Sequence, residues 1–272
     1  MNDTIRLGRI AGIPVGLNWT WLLVFVFFTW SLAATVFPSS NPGLGDGSYV
    51  AMGVAAVLLF FASLLLHELG HALQARREGV QIAGITLWLF GGVARLRGPF
   101  PSAGAEFRIA VAGPLVTLVL GAAFVGLAIV THFSSAVDGV VAWLGYINFV
   151  LLAFNLLPAL PLDGGRIFRA ALWRLLGSFV RATRVAVAVS TALAAGLIVG
   201  GLVTAVMSGS FSGLWLAVLG WFLLGAARAE AQIASIERAG PWVAPRREDR
   251  HGRGLRRRAR RGPARGGAPR RS

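Results

Sequence analysis

Four side chains in this sequence have the types and spacing to act together: His67, Glu68, His71 and Asp163. The first three lie in the segment Ser63–Leu73, SLLLHELGHAL. On a helix, residues four apart are about 40° apart around the axis and one turn along it, so both imidazoles can reach one ion. H-E-x-x-H is the pattern in which two histidines bind zinc and the glutamate beside the first serves as general base. The surrounding run is apolar, and an ionisable group inside such a run costs about 2.5–3.5 kcal/mol on insertion scales, which marks it as functional. The competing reading is a pair of histidines bonded to helix carbonyls, with Glu68 neutral in a polar gap.

Catalytic zinc usually takes three protein ligands and keeps one position open for water. The chain has no cysteine, and its other two histidines lie in an extracytoplasmic loop (His132) and in the C-terminal tail (His251). A third ligand must therefore be a carboxylate. Glu78 and Glu106 sit among arginines at the ends of apolar runs, where ion pairing accounts for them. Asp3, Asp46, Asp138, Glu230, Glu237, Glu248 and Asp249 are extracytoplasmic or near a terminus, which leaves Asp163. It stands in Asn155–Arg166, NLLPALPLDGGR, where Pro158 and Pro161 break the helix and Gly164 and Gly165 permit a sharp turn. Broken backbone at membrane depth is tolerated where it lines a protein-enclosed cavity. Asp163 could instead cap the helix that follows.

The elements that must position these residues are membrane spans. Of the 272 residues 56% are hydrophobic and 14% charged, with a mean hydropathy of +0.68; an ordinary soluble domain carries about 25% charged residues. Six windows are long and apolar enough to cross a bilayer: Leu17–Val36, Tyr49–Leu73, Phe107–Val130, Val140–Leu157, Val185–Val206 and Leu214–Ile233. Residues 1–16 read as short strand-like pieces rather than a cleavable signal peptide. Gln81–Leu96 (QIAGITLWLFGGVARL) is apolar, β-branched and too short to span, which suits a re-entrant hairpin turning near Gly91–Gly92. Gly164–Arg184 interleaves arginines with apolar residues, as an amphipathic interfacial helix does. The expected fold is an all-α polytopic membrane protein of six transmembrane helices with a small re-entrant β-hairpin.

All 26 basic residues are arginine. The connections Phe37–Ser48, Thr131–Gly139 and Met207–Gly213 carry none, whereas arginines fill every alternate connection. Positive-inside arithmetic therefore places both termini in the cytoplasm of a multi-pass protein of the cell (plasma or inner) membrane. Much of the +15 net charge lies in residues 241–272, an Arg/Gly/Pro-rich stretch expected to be a disordered cytoplasmic tail appended to a six-span domain, residues 1–240. Such a tail fixes orientation or meets anionic lipid; no specific nucleic-acid partner is expected.

HELGH in the second span, followed by N-x-x-P-x-x-P-x-D-G-G after the fourth, resembles the site-2 protease family of intramembrane zinc metalloproteases (peptidase M50-like). The similarity takes in RLGRIAGIPVGLNWTW at the start, the Gly91–Gly92 hairpin and AVAGPLVTLVLG in the third span. It implies one zinc ion per chain held by His67, His71 and Asp163, with Glu68 as base and Asn155 in support. Within 272 residues no stretch reads as the PDZ or CBS modules that regulate other members. The implied activity is cleavage of transmembrane segments in single-span proteins, such as anti-sigma factors or signal-peptide remnants, within the lipid bilayer. The hairpin edge at Gly91 and Gly92 could hold an extended substrate, or the pair could be a plain turn. A metal transporter and a proteolytically inactive scaffold that binds partner helices are the other classes; only the protease needs Glu68.

Overall fold

A helix that is apolar around its whole circumference belongs in lipid or in a large core, and this chain has several. The computed structural model describes residues 4–88, 91–130, 133–209 and 211–239. Among these, six helical segments are long and apolar enough to cross a membrane: Thr20–Ser40, Asp46–Arg77, Ala103–Val130, Ser135–Asn155, Phe179–Ser208 and Phe211–Gln232. Each overlaps one expected window. The chain divides into a compact unit, Met1–Ser235, and a short unit, Ile236–Ser272, of which only the end of the last helix is described. The expected tail, residues 241–272, lies outside the described residues.

In chain order the elements are β1 (Thr4–Ile10) and β2 (Ile13–Asn18), then a first span built from α1 (Thr20–Ser31), a π-helical turn over Leu32–Val36 and α2 (Phe37–Ser40). The second span, α3 (Asp46–Arg77), leads into strands β3 (Gln81–Trp88) and β4 (Gly91–Arg97). Spans α4 (Ala103–Val130) and α5 (Ser135–Asn155) precede the short helix α6 (Asp163–Leu176), and α7 (Phe179–Ser208) and α8 (Phe211–Ala239) complete the bundle. Along α1 the side chains of Leu22, Leu23, Val26, Phe27 and Trp30 are all more than half exposed, a face suited to acyl chains.

The re-entrant hairpin is half of a larger unit. The strands form one four-stranded sheet in the order β1-β2-β3-β4, antiparallel within each hairpin and parallel where β2 meets β3 (Val15↔Ile85, Leu17↔Leu87). Ile13 and Ile85 pack with Ala72 of α3, against Leu65, Leu69 and Leu73. The sheet therefore lies along the stretch of α3 that carries the histidine motif. The interfacial helix is shorter than expected: Gly177 ends α6 in a left-handed cap, and Ser178 accepts from the Arg181 amide to start α7.

Ion pairing at Glu106 is also observed, but in the interior. Glu106 of α4 is fully buried and accepts from Arg169 Nε of α6 at 2.7 Å, while Arg169 Nη1 donates to Glu230 of α8 at 2.8 Å. Glu230, read from the sequence as a terminal charge, is thus part of a buried network joining three helices. At Glu78 the pairing is superficial. Arg108 donates to both of its carboxylate oxygens and holds its pKa below the usual carboxylate value.

Candidate metal centre

Both histidines of the motif are buried, and both are held from the far side by α4. His67 Nδ1 lies 2.8 Å from Thr117 Oγ1, and His71 Nδ1 lies 2.7 Å from the Ile109 carbonyl oxygen. These contacts need α3 and α4 to approach closely, and Gly70 permits it: a Cβ there would lie 2.9 Å from Val116 Cγ2 and 3.0 Å from the Ala112 carbonyl oxygen.

Asp163 is delivered by the loop that breaks after α5. The helix ends at Asn155, ahead of Pro158, and the chain folds back on itself. Gly164 and Gly165 are required there, because a Cβ on either would strike the backbone of Leu156 to Leu160. Ser190 of α7 ties the loop down, accepting from the Leu160 amide at 2.8 Å and donating to the Ala186 carbonyl. Asp163 is the first residue of α6, after the cap residue Leu162. Its carboxylate points away from a capping role, with Oδ2 at 3.2 Å from His67 Nε2 and Oδ1 at 3.2 Å from His71 Nε2.

The donor set suits a cation. A carbonyl oxygen has no proton to give, so His71 Nδ1 carries one, and in the neutral ring Nε2 would present a lone pair. Thr117 Oγ1 also lies 3.4 Å from the Gly113 carbonyl; a hydroxyl proton directed there would free the oxygen to accept from His67 Nδ1 and leave His67 Nε2 as a second lone pair. The two Nε2 atoms are 3.1 Å apart, and Asp163 Oδ2 is buried with no hydrogen-bond donor. Lone pairs brought this close repel unless a positive ion lies among them. Ligand atoms of His67, His71 and Asp163 all fall within 4.8 Å of one another, and two imidazoles with one carboxylate form a zinc donor set. Gly113 leaves the space: a Cβ there would sit on His71 Nε2 and 2.7 Å from His67 Nε2.

Glu68 is half-buried, with its side chain directed at β4. A Cβ on Gly92 would overlap Glu68 Cγ and lie 3.1 Å from Oε1, so strand β4 runs directly over the glutamate. Gly91, next to Gly92 in β4, pairs with Trp88 of β3. Asn155, half-buried at the end of α5, directly precedes Leu156 and Leu157, against whose carbonyls Gly164 packs. Sequence reasoning missed Thr117, Gly113, Ser190 and the Ile109 carbonyl. Thr117 is the one hydroxyl in AVAGPLVTLVLG, which is a signal of a kind; a backbone carbonyl leaves none.

Residues 55–138 and 131–199 match the model of peptidase family M50, a stretch that holds HELGH, the hairpin and Asp163. The chain belongs to peptidase family M50. It is 46% identical over 240 residues to Rip3 of Mycobacterium tuberculosis (87% of this chain, 61% of that protein). It is 33% identical over 239 residues to the zinc metalloprotease MJ0392 of Methanocaldococcus jannaschii (87% and 63%). The M50 chain thus spans about three-fifths of the length of these curated relatives. The solved site-2 protease from Methanocaldococcus jannaschii shares the fold with a TM-score of 0.57 and 30% identity, over 84% of this chain and 95% of that one.

Proposed function

We propose that this M50 chain is a zinc-dependent intramembrane endopeptidase that cleaves transmembrane segments of single-span membrane proteins. The observation that carries the reading is the convergence of His67 Nε2, His71 Nε2 and the Asp163 carboxylate, each within 3.2 Å of its neighbours. These three residues would hold one zinc ion. Bound there, zinc would supply Lewis acidity to a peptide carbonyl and lower the pKa of a bound water so that it can be deprotonated at neutral pH. Glu68 takes the proton released as water adds to the carbonyl and returns it to the departing amine. Asn155 donates to the peptide oxygen.

The substrate must reach this centre unwound, because a helical peptide bond is shielded by its own hydrogen bonds. Strand β4 is the last strand of the sheet on the side away from β3, and its Gly92 lies against Glu68. An extended segment pairing with β4 would therefore pass next to the base, with main-chain hydrogen bonds supplying affinity regardless of sequence. Single-span remnants of other membrane proteins, anti-sigma factors and signal peptides among them, fit this entry route. The test is cleavage of a tagged single-span substrate in membranes holding wild type or Glu68→Gln. Equal cleavage by the two proteins would reject the proposal.

A further inference from the structure

We infer that Thr117 is a positioning residue of the zinc centre, selecting the His67 tautomer that can bind metal. The inference rests on the reading of His67, His71 and Asp163 as a zinc site.

A neutral histidine binds metal through one ring nitrogen only if its proton sits on the other. For His71 the Ile109 carbonyl enforces this, since it can only accept. For His67 the same task falls to a side chain. Thr117 Oγ1 is 2.8 Å from His67 Nδ1, and its residue is buried to 1% exposure, so no water competes for the contact. A hydroxyl can donate as well as accept, which by itself would leave the tautomer open. The Gly113 carbonyl, 3.4 Å from Oγ1 on the preceding turn, gives the hydroxyl proton another place to go. The oxygen is then turned to accept from Nδ1, and Nε2 is left bare toward His71 and Asp163.

Without the hydroxyl, Nδ1–H of His67 would face an apolar span with no acceptor. The ring would relieve this by moving its proton to Nε2 or by rotating, and either change removes a zinc ligand. Thr117→Val keeps the shape and deletes the bond; Thr117→Ser keeps the bond. Partners of this kind typically change metal affinity 10–100-fold.

The experiment measures zinc affinity of the full chain in detergent, by competition with a chromophoric chelator, for wild type, Thr117→Val, Thr117→Ala and Thr117→Ser. It adds the visible spectrum of each protein loaded with cobalt(II) and the melting temperature of each metal-free form. We expect both hydroxyl-deleting variants to bind zinc about 10–100-fold more weakly with an altered cobalt spectrum. Thr117→Ser should restore both, and the shape-keeping Thr117→Val should match wild type in metal-free melting temperature. Wild-type affinity and spectrum in Thr117→Val and Thr117→Ala would overturn the tautomer role while leaving the zinc site standing. Equal weakening in Thr117→Ser, or a fall in the metal-free melting temperature of Thr117→Val that matches its loss of zinc, would overturn it in favour of packing. A wild type that binds no zinc would overturn both this inference and the site on which it rests.

Discussion

Glu68 and Asp163 are both carboxylates, yet their surroundings differ. Asp163 is buried with each oxygen 3.2 Å from a histidine nitrogen, whereas Glu68 is half-buried under Gly92 of the edge strand. Replacing Glu68 with glutamine should leave a folded, zinc-loaded protein whose cleavage rate falls 10²–10⁴-fold or so, the usual worth of a general base. Metal content and substrate cleavage, measured on the same preparation, check this together. Asp163→Ala should instead lose the metal, and full zinc occupancy in that variant would remove Asp163 from the ligand set. The sequence shows these residues because their spacing is fixed by one helix turn and because ionisable groups are rare in spans. Thr117 stands out as the one hydroxyl of its segment, yet a threonine in an apolar helix routinely satisfies itself on the carbonyl four residues back, so its type alone does not name a partner on another helix.

Two glycines show how far the elements depend on close approach. Gly113 gives α4 a bare backbone where the two histidine nitrogens converge. Gly113→Ala should push the rings apart and weaken zinc by roughly 100-fold, at the upper end of what neighbouring-shell changes cost, in the same chelator competition. Gly92→Val should leave zinc bound and abolish cleavage, because its side chain takes the space of Glu68; normal cleavage by that variant would move β4 off the base. The helices and the β3–β4 hairpin were readable from apolar length and β-branching. Pairing of β2 with β3 was not, because the two segments are separated by two whole spans and nothing local records which distant edge a strand will meet. The Glu106–Arg169–Glu230 network was equally hidden, since opposite charges on three helices specify partners only after the helices are packed. Removing one partner of a buried ion pair costs about 3–5 kcal/mol. Arg169→Leu should therefore unfold at correspondingly lower denaturant, with Glu106 left buried and unpaired.

At the scale of the whole molecule, parity ties the site to one side of the membrane. Strand β2 precedes the first span and β3 follows the second, yet they pair directly. Asp163, after the fourth span, meets His67 and His71 near the C-terminal end of the second. Arg169 joins the start of α4 to the far part of α8 through Glu106 and Glu230. Each contact requires an even number of crossings between its partners, and six spans supply it. The same end carries Arg76, Arg77, Arg95, Arg97 and Arg108, together with the arginines of α6 and the start of α7, while Phe37–Ser48 carries none. Short loops rich in arginine are retained in the cytoplasm, so the metal centre should open to the cytoplasmic side and Phe37–Ser48 should face outward. A chain without cysteine makes the check direct. Pro42 and Pro99 are exposed in connections between spans, and the one crossing between them, α3, puts them on opposite sides of this arrangement. In intact cells an impermeant thiol reagent should label Pro42→Cys and spare Pro99→Cys, and permeabilised cells should show both. Labelling of Pro99→Cys in intact cells would invert the orientation and, with it, the side from which water and substrate reach Glu68.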